Sequence, residues 1–239
     1  MENKLVKRNL ILGILFFLPV IFLLFLYPAQ HNYNTLDIVN DDVKDLDSFI
    51  SESGENVTLK DHITVLCFLG SAPMNHVISA SNIKELVYDK FKGFKKFQVV
   101  VVVSDSTNVD IIKLKQEINS YEDLKYWHFV FGNEAKINRI FNTLKSDRPL
   151  KDDLSTNSIF IIDKDLKQRG RIDDRSDNEL AANKEIHSLM SYNSIEVAEI
   201  KNKMSEDIRI LFTEYRQKRK GNFDSSSRRA NELKGTNEQ

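Results

Sequence analysis

The side chains best suited to soft-metal or redox chemistry in the first half of the chain are Cys67, Met74 and His76, with His62 just upstream. A thioether and an imidazole in a Met-x-His pair suit a soft cation such as copper(I). Residues two apart at a helix start point in different directions, however, which weakens Met74 and His76 as joint ligands. Cys67 is the single cysteine. That excludes an internal disulfide, dithiol exchange within one chain, and any zinc site resting on two thiolates. It also lies inside the apolar run Ile63–Leu69, where a free cysteine acts as a small hydrophobe; reactive thiols need an accessible, electropositive setting. The chain has no Gly-rich phosphate loop, no His-Glu-x-x-His and no Gly-x-Ser-x-Gly, so no catalytic residue and no cofactor is expected. The acidic pairs Asp41-Asp42, Asp152-Asp153 and Asp173-Asp174 read as solvated turns. Asn56-Val57-Thr58 fits the glycosylation pattern, a short motif that arises often by chance.

The elements that must position these groups follow from periodicity. Ile63–Leu69 and the β-branched run Phe97–Val103 read as strands covered on both faces. Between them, Pro73 suits the first turn of a helix whose face carries Val77, Ile78, Ile83, Leu86, Val87 and Phe91. A second helix opens at Asn108 and carries Ile111, Ile112, Leu114 and Ile118; Tyr126–Phe131 is the third strand. A third helix carries Ile137, Ile140, Phe141 and Leu144. Asn157–Ile162 is a fourth strand, and Lys167–Ile172 returns as its hairpin partner across Asp163-Lys164-Asp165. The order β-α-β-α-β-α-β-β over residues 60–175 predicts an α/β sandwich with a mixed sheet. No strand is expected after Asp174.

The flanks differ in kind. Leu10–Tyr27 is uncharged and apolar apart from Gly13 and Pro19, close to the ~20 residues that span a bilayer. Lys4, Lys7 and Arg8 precede it, which predicts a cytoplasmic N-terminus, residues 1–30 as tip and single-pass anchor, and an outward-facing remainder. Residues 31–59 form an acidic connector, read as a solvated spacer. Over residues 176–221, Val197, Ile200, Met204, Ile208, Leu211 and Tyr215 fall at intervals of three and four. That is one apolar helix stripe, available to fold back on the domain or to pair with another chain. Residues 222–239 read as a disordered basic tail. In all, 239 residues suit one domain plus extensions, and a net charge of −1 argues against a nucleic-acid partner.

Three segments within this frame resemble the Sco (SenC) family, membrane-anchored thioredoxin-like copper chaperones of cytochrome c oxidase assembly. The stretch from Cys67 through Gly70-Ser71-Ala72-Pro73-Met74-Asn75-His76 resembles that family's strand, turn and Cys-Pro-x-x-Cys-Pro helix start. Trp127-His128-Phe129-Val130-Phe131-Gly132 is similar to its Trp-x-Phe-x-x-Gly segment. Phe160-Ile161-Ile162-Asp163 with Arg169-Gly170-Arg171 is similar to its last hairpin. The resemblance implies a thioredoxin-like sandwich and two cysteines plus a distal histidine that hold copper. Aligned on Pro73, those ligand positions carry Ala72, His76 and Leu154, so the inherited metal and redox chemistry is lost. The resemblance further implies a periplasmic domain on a bacterial inner membrane, acting as a non-catalytic adaptor or assembly factor for a respiratory oxidase. The alternatives are a residual copper chaperone using His76 with Met74, or a structural membrane protein that oligomerises through its C-terminal helix.

Overall fold

The computed structural model describes residues 2–26, 35–105, 108–119 and 124–219. The chain divides into two compact units, split between Asn34 and Thr35. The first is the helix α1, Glu2–Leu26, which contains Pro19 and exposes large apolar side chains such as Leu15 and Phe16 (73% and 72% accessible). Among the described residues no helix is long and apolar enough to cross a membrane. Residues 27–30 of the expected anchor lie outside the described residues.

The second unit is built on an eight-stranded sheet. Its strands are β1 (Asp37–Asn40), β2 (Ile50–Ser51), β3 (Ile63–Gly70), β4 (Phe97–Ser104), β5 (Trp127–Gly132), β6 (Ser155–Ile162), β7 (Gln168–Gly170) and β8 (Tyr192–Asn193). They run in the order β1-β7-β6-β3-β4-β5-β2, with β8 beside β6. β3, β4 and β5 are parallel, whereas β6 is antiparallel to β3 and β7 antiparallel to β6. The helical layer after β3 comprises a 3₁₀ turn at Pro73–His76, α2 (Val77–Ile83), a π turn at Lys84–Tyr88 and α3 (Asp89–Phe91). Later come α4 (Asn108–Ile118), α5 (Glu134–Phe141), α6 (Asp177–Ala181), a second π turn at Glu199–Met204, and α7 (Ser205–Arg219). A parallel β-helix-β step followed by an antiparallel hairpin on the other side of the first strand gives a thioredoxin-like α/β fold, as expected.

The strands alternate. Odd-numbered residues such as Val65, Cys67, Val101, Phe129 and Ile161 face one core beneath α2, α3, α4 and α7. Even-numbered residues such as Leu66, Phe68, Val102, Val130 and Phe160 face a second core beneath α5. This two-sided burial is why the strands read as continuous apolar runs.

Two expectations are corrected, and one alternative is closed. Residues 35–59 are not a solvated spacer. β1 pairs with β7 and β2 with β5, capping both sheet edges, and Val43, Leu46 and Leu59 complete the second core. Asp45 folds this segment, accepting hydrogen bonds from the amides of Leu46 (2.8 Å) and Leu59 (2.7 Å) and the hydroxyl of Thr58 (2.5 Å). Secondly, a strand does follow Asp174. β7 occupies the β6 edge only at Ile161 and Ile162, and β8 pairs with the part left open, Ser158 and Ile159. Of the two uses open to the apolar stripe, the chain takes folding back, and the alternative of oligomerising through it falls: Ile200, Met204, Ile208 and Leu211 are fully buried in the first core of the same chain. The tail over 222–239 lies outside the described residues.

Candidate functional site

The candidate site is the turn that follows β3, where the fold places the start of a helix against the loop before β6. Gly70 turns the chain with φ +65°, a conformation that strains an L side chain. A Cβ on Gly70 would meet the carbonyl oxygen of Asp153 at 2.0 Å and the amide of Ser155 at 2.7 Å. The Ser71 amide donates to that same Asp153 carbonyl at 2.8 Å, so the two loops are strapped together through backbone. Pro73 then opens the 3₁₀ turn, at a position where its missing N–H would have had no intrahelical acceptor.

The expected ligand positions do not converge as a metal centre. Ala72 offers no donor atom. Leu154 adopts φ +64° and packs against the second core. His76 is 8% exposed, and its Nε2 lies 3.7 Å from Asp153 Oδ2, beyond hydrogen-bond distance. Burial pushes the His76 imidazole down from its ordinary value; Asp153 opposes that shift and Lys151 adds to it. Burial pushes the Asp153 carboxyl up. The hydroxyl and amide of Ser155, at 2.6 and 3.0 Å from Oδ1, outweigh it together with His76, and hold the carboxyl below its usual range. A neutral imidazole beside a carboxylate anchored by Ser155 is the result.

Sulfur is equally unavailable. Cys67 faces the first core, its thiol donates to the Val100 carbonyl at 3.6 Å, and burial pushes it up to about 12. A thiol held protonated is neither nucleophile nor ligand. Met74 packs, half-buried, against that core. His62 precedes the far end of β3, whose eight residues separate it from Gly70 by roughly 26 Å at 3.3 Å per residue. Among the described residues no group of three or more His, Cys, Asp or Glu side chains is placed to hold a metal ion. One imidazole and one half-buried thioether do not fit a resident copper ion.

The most developed polar cluster lies elsewhere and was missed in the sequence. Arg169 on β7 is 3% exposed and pairs with Asp163 (2.8 Å) and Glu214 of α7 (2.5 Å), while also donating to the Leu36 carbonyl at 2.8 Å. Arg171 binds Asp207 of α7 through Nη2 (2.7 Å) and Nε (3.1 Å), and Asp174 at 3.0 Å. The Tyr192 hydroxyl donates to Asp207 at 2.6 Å. Burial pushes the Asp207 carboxyl up despite Arg171 and Tyr192, and it pushes the Tyr192 phenol well up. Asp174, expected in a solvated turn, is thus buried within an ion pair, whereas Asp173 stays near the surface on Arg175. A signal existed. Arg169 and Arg171 are two apart, hence on one face of a strand. Asp207 and Glu214 are seven apart, on the very face of α7 that carries Leu211.

No family model matches the chain, and no curated protein matches it. Solved structures do resemble it. One is BsSco, described as a member of the Sco family of cytochrome c oxidase assembly proteins, at 18% identity and TM-score 0.46 over 74% of this chain and 96% of that one. Another is a SCO1/SenC family lipoprotein from Bacillus anthracis, at 17% identity and TM-score 0.46 over 73% and 96%. A third is copper-bound ScoI of Bradyrhizobium japonicum, at 14% identity and TM-score 0.38 over 68% and 95%. Likeness at this level says nothing of which residues do chemistry; what it does say is that the structural neighbours of this chain include proteins of the Sco/SenC family.

Proposed function

We propose that this chain is a membrane-tethered, extracytoplasmic thioredoxin-fold protein that serves as a non-catalytic adaptor or assembly factor for a respiratory oxidase. One observation carries the non-catalytic part: the turn that would present thiols carries Ala72, while the only thiol is locked in the core against Val100. Tethering rests on the apolar run Leu10–Tyr27 and on the exposed apolar surface of α1. The oxidase context rests on the sequence resemblance over residues 60–175. The strapped turn, with neutral His76 over Asp153, supplies a fixed surface in place of a reaction.

Copper(I) titration of the full chain in detergent tests the reading. Expected are no retained copper after desalting and no change on Cys67→Ser. Stoichiometric copper that disappears on His76→Ala would establish the residual chaperone instead. Tethering is tested separately: the chain stays with membranes after alkaline extraction, and recovery in the wash overturns it. Crosslinking in native membranes should return oxidase subunits or their assembly proteins; a different complex would replace the oxidase context.

A further inference from the structure

At the end of the sheet where β3 begins, two lysines flank one short segment. The Ile63 amide donates to the Lys96 carbonyl at 2.7 Å, and the Asp61 amide donates to the Lys164 carbonyl at 3.0 Å. Lys96 closes the loop Lys92-Gly93-Phe94-Lys95-Lys96 between α3 and β4, in which Phe94 is 40% exposed. Phe212 of α7 stacks on the Phe94 ring, with 4.2 Å between centroids and 22° between planes. Tyr215 lies about one turn further along α7, on the same side as Phe212. The ammonium groups of Lys164 and Lys218 each sit 4.9 Å from the Tyr215 ring centre. Nearby carboxylates are already engaged: Asp165 accepts from the Tyr215 hydroxyl at 3.0 Å, Asp89 holds Lys84 and Lys92, and Glu214 holds Lys218. Among the described residues Lys95, Lys96, Lys164 and Arg219 have no ion-pair partner. Like charges crowd one another here. Burial pushes the Lys164 ammonium down, and Lys96 and Arg219 push it further, against Asp61 and Asp165. Lys90, on α3, is pushed down in the same way by burial, Arg209 and Lys201. A chain whose net charge is only −1 thus gathers positive charge around an exposed aromatic ring.

We infer that this face, Phe94 with Lys95, Lys96, Lys164 and Arg219, docks on the headgroups of an anionic lipid bilayer. Its cations are long side chains from three separate segments of the chain, which suits a diffuse negative surface better than a single bound ion. Each basic side chain near such a surface adds to binding, through a field that salt screens. An aromatic ring among them fits the same depth, its apolar body at the headgroup boundary and the flanking ammonium groups at the phosphates. An acidic polypeptide would meet the charge equally, but it gives no role to a phenyl ring held outward between lysines. The inference rests on the tethering proposed above, which holds a bilayer at high effective concentration. It is independent of the turn at Gly70–His76 and of the oxidase context.

A label beside Phe94 reads the docking directly. A Cβ at Gly93 meets nothing within 4 Å, and the one native thiol, Cys67, is buried, so Gly93→Cys accepts a fluorophore at a single place. The full labelled chain is reconstituted in nanodiscs of phosphatidylcholine alone or with about 30% phosphatidylglycerol, each carrying a spin-labelled lipid as quencher. Quenching should be several-fold stronger in the anionic discs and should fall to the neutral level in about 0.5 M salt. Lys95→Glu with Lys96→Glu, both at exposed positions, should cut the docked-to-free ratio by about tenfold or more while leaving the thermal midpoint in place. Equal quenching in neutral and anionic discs overturns the inference, as does quenching that ignores salt and the double variant. A larger response to soluble polyglutamate than to phosphatidylglycerol also overturns it, and assigns the face to an acidic polypeptide. Failure of the chain to enter neutral discs removes the tethering instead; the same label with added anionic vesicles then decides the docking by the same criteria.

Discussion

The turn at Gly70–His76 and the ionic clasp around Arg169 and Arg171 use ionisable groups in opposite ways. At the turn, His76 is left without a hydrogen bond at Nε2, 3.7 Å from a carboxylate that Ser155 already occupies. At the clasp, two arginines are met by Asp163, Glu214, Asp207 and Asp174, and the phenol of Tyr192 joins them. The turn after β3 is therefore held by backbone, and the buried charge is concentrated where α7 meets the sheet. Burying ions is unfavourable unless each is paired. In this chain the paired buried charge attaches a helix to the sheet.

The largest expected effect tests the clasp. Arg169→Ala removes the buried cation shared by Asp163, which keeps only the amides of Asp165 and Lys167, and Glu214, which keeps only Lys218, and should destabilise the fold by about 3–5 kcal/mol in urea unfolding. Arg169→Met paired with Asp163→Asn and Glu214→Gln should recover much of that loss; a single variant within about 1 kcal/mol of the parent would show that the clasp is not structural. Next comes the core thiol on the strand that leads into the turn. Its raised pKa means that its contribution is fully present below pH 9 and is lost as pH climbs toward about 12. Between pH 8 and pH 11 the parent should lose about 3 kcal/mol more than Cys67→Ala. Parallel pH profiles would mean that the thiol ionises freely, in line with a reactive group. The smallest effect tests the strap. Gly70→Ala meets both the left-handed backbone and the Asp153 carbonyl, and should destabilise by about 2 kcal/mol. An unchanged midpoint would mean that the two loops are not held against each other.

Much of this was legible in the sequence. Runs such as Phe97–Val103 announce covered strands because every residue but Gln98 is apolar whichever face it meets. The stripe Ile200, Met204, Ile208, Leu211 announces a buried helix face. The sequence also showed that Ala72 and Leu154 bring no donors, although not that Leu154 turns into the opposite core at positive φ. β1, β2 and β8 were not legible, since strands of two to four residues carry too little periodicity and are set by the open edges they pair with. The clasp was legible only in part: the spacings of Arg169 with Arg171 and of Asp207 with Glu214 are in the sequence, but not that the two pairs meet. Asp207 and Glu214 look like ordinary polar residues of an amphipathic helix until Arg169 and Arg171, from a distant strand, are seen beneath them.

One consequence of α7 concerns how the molecule is made. Its side chains complete the first core beside those of α2, α3 and α4, and its Glu214 answers Arg169, so part of the sheet's apolar face stays uncovered until residues 200–214 have been synthesised. Domains usually close in step with synthesis from the N-terminus; this one must wait. Ribosome-bound chains stalled before residue 200 should stay protease-sensitive and chaperone-associated throughout, and become resistant together, late, when the helix emerges.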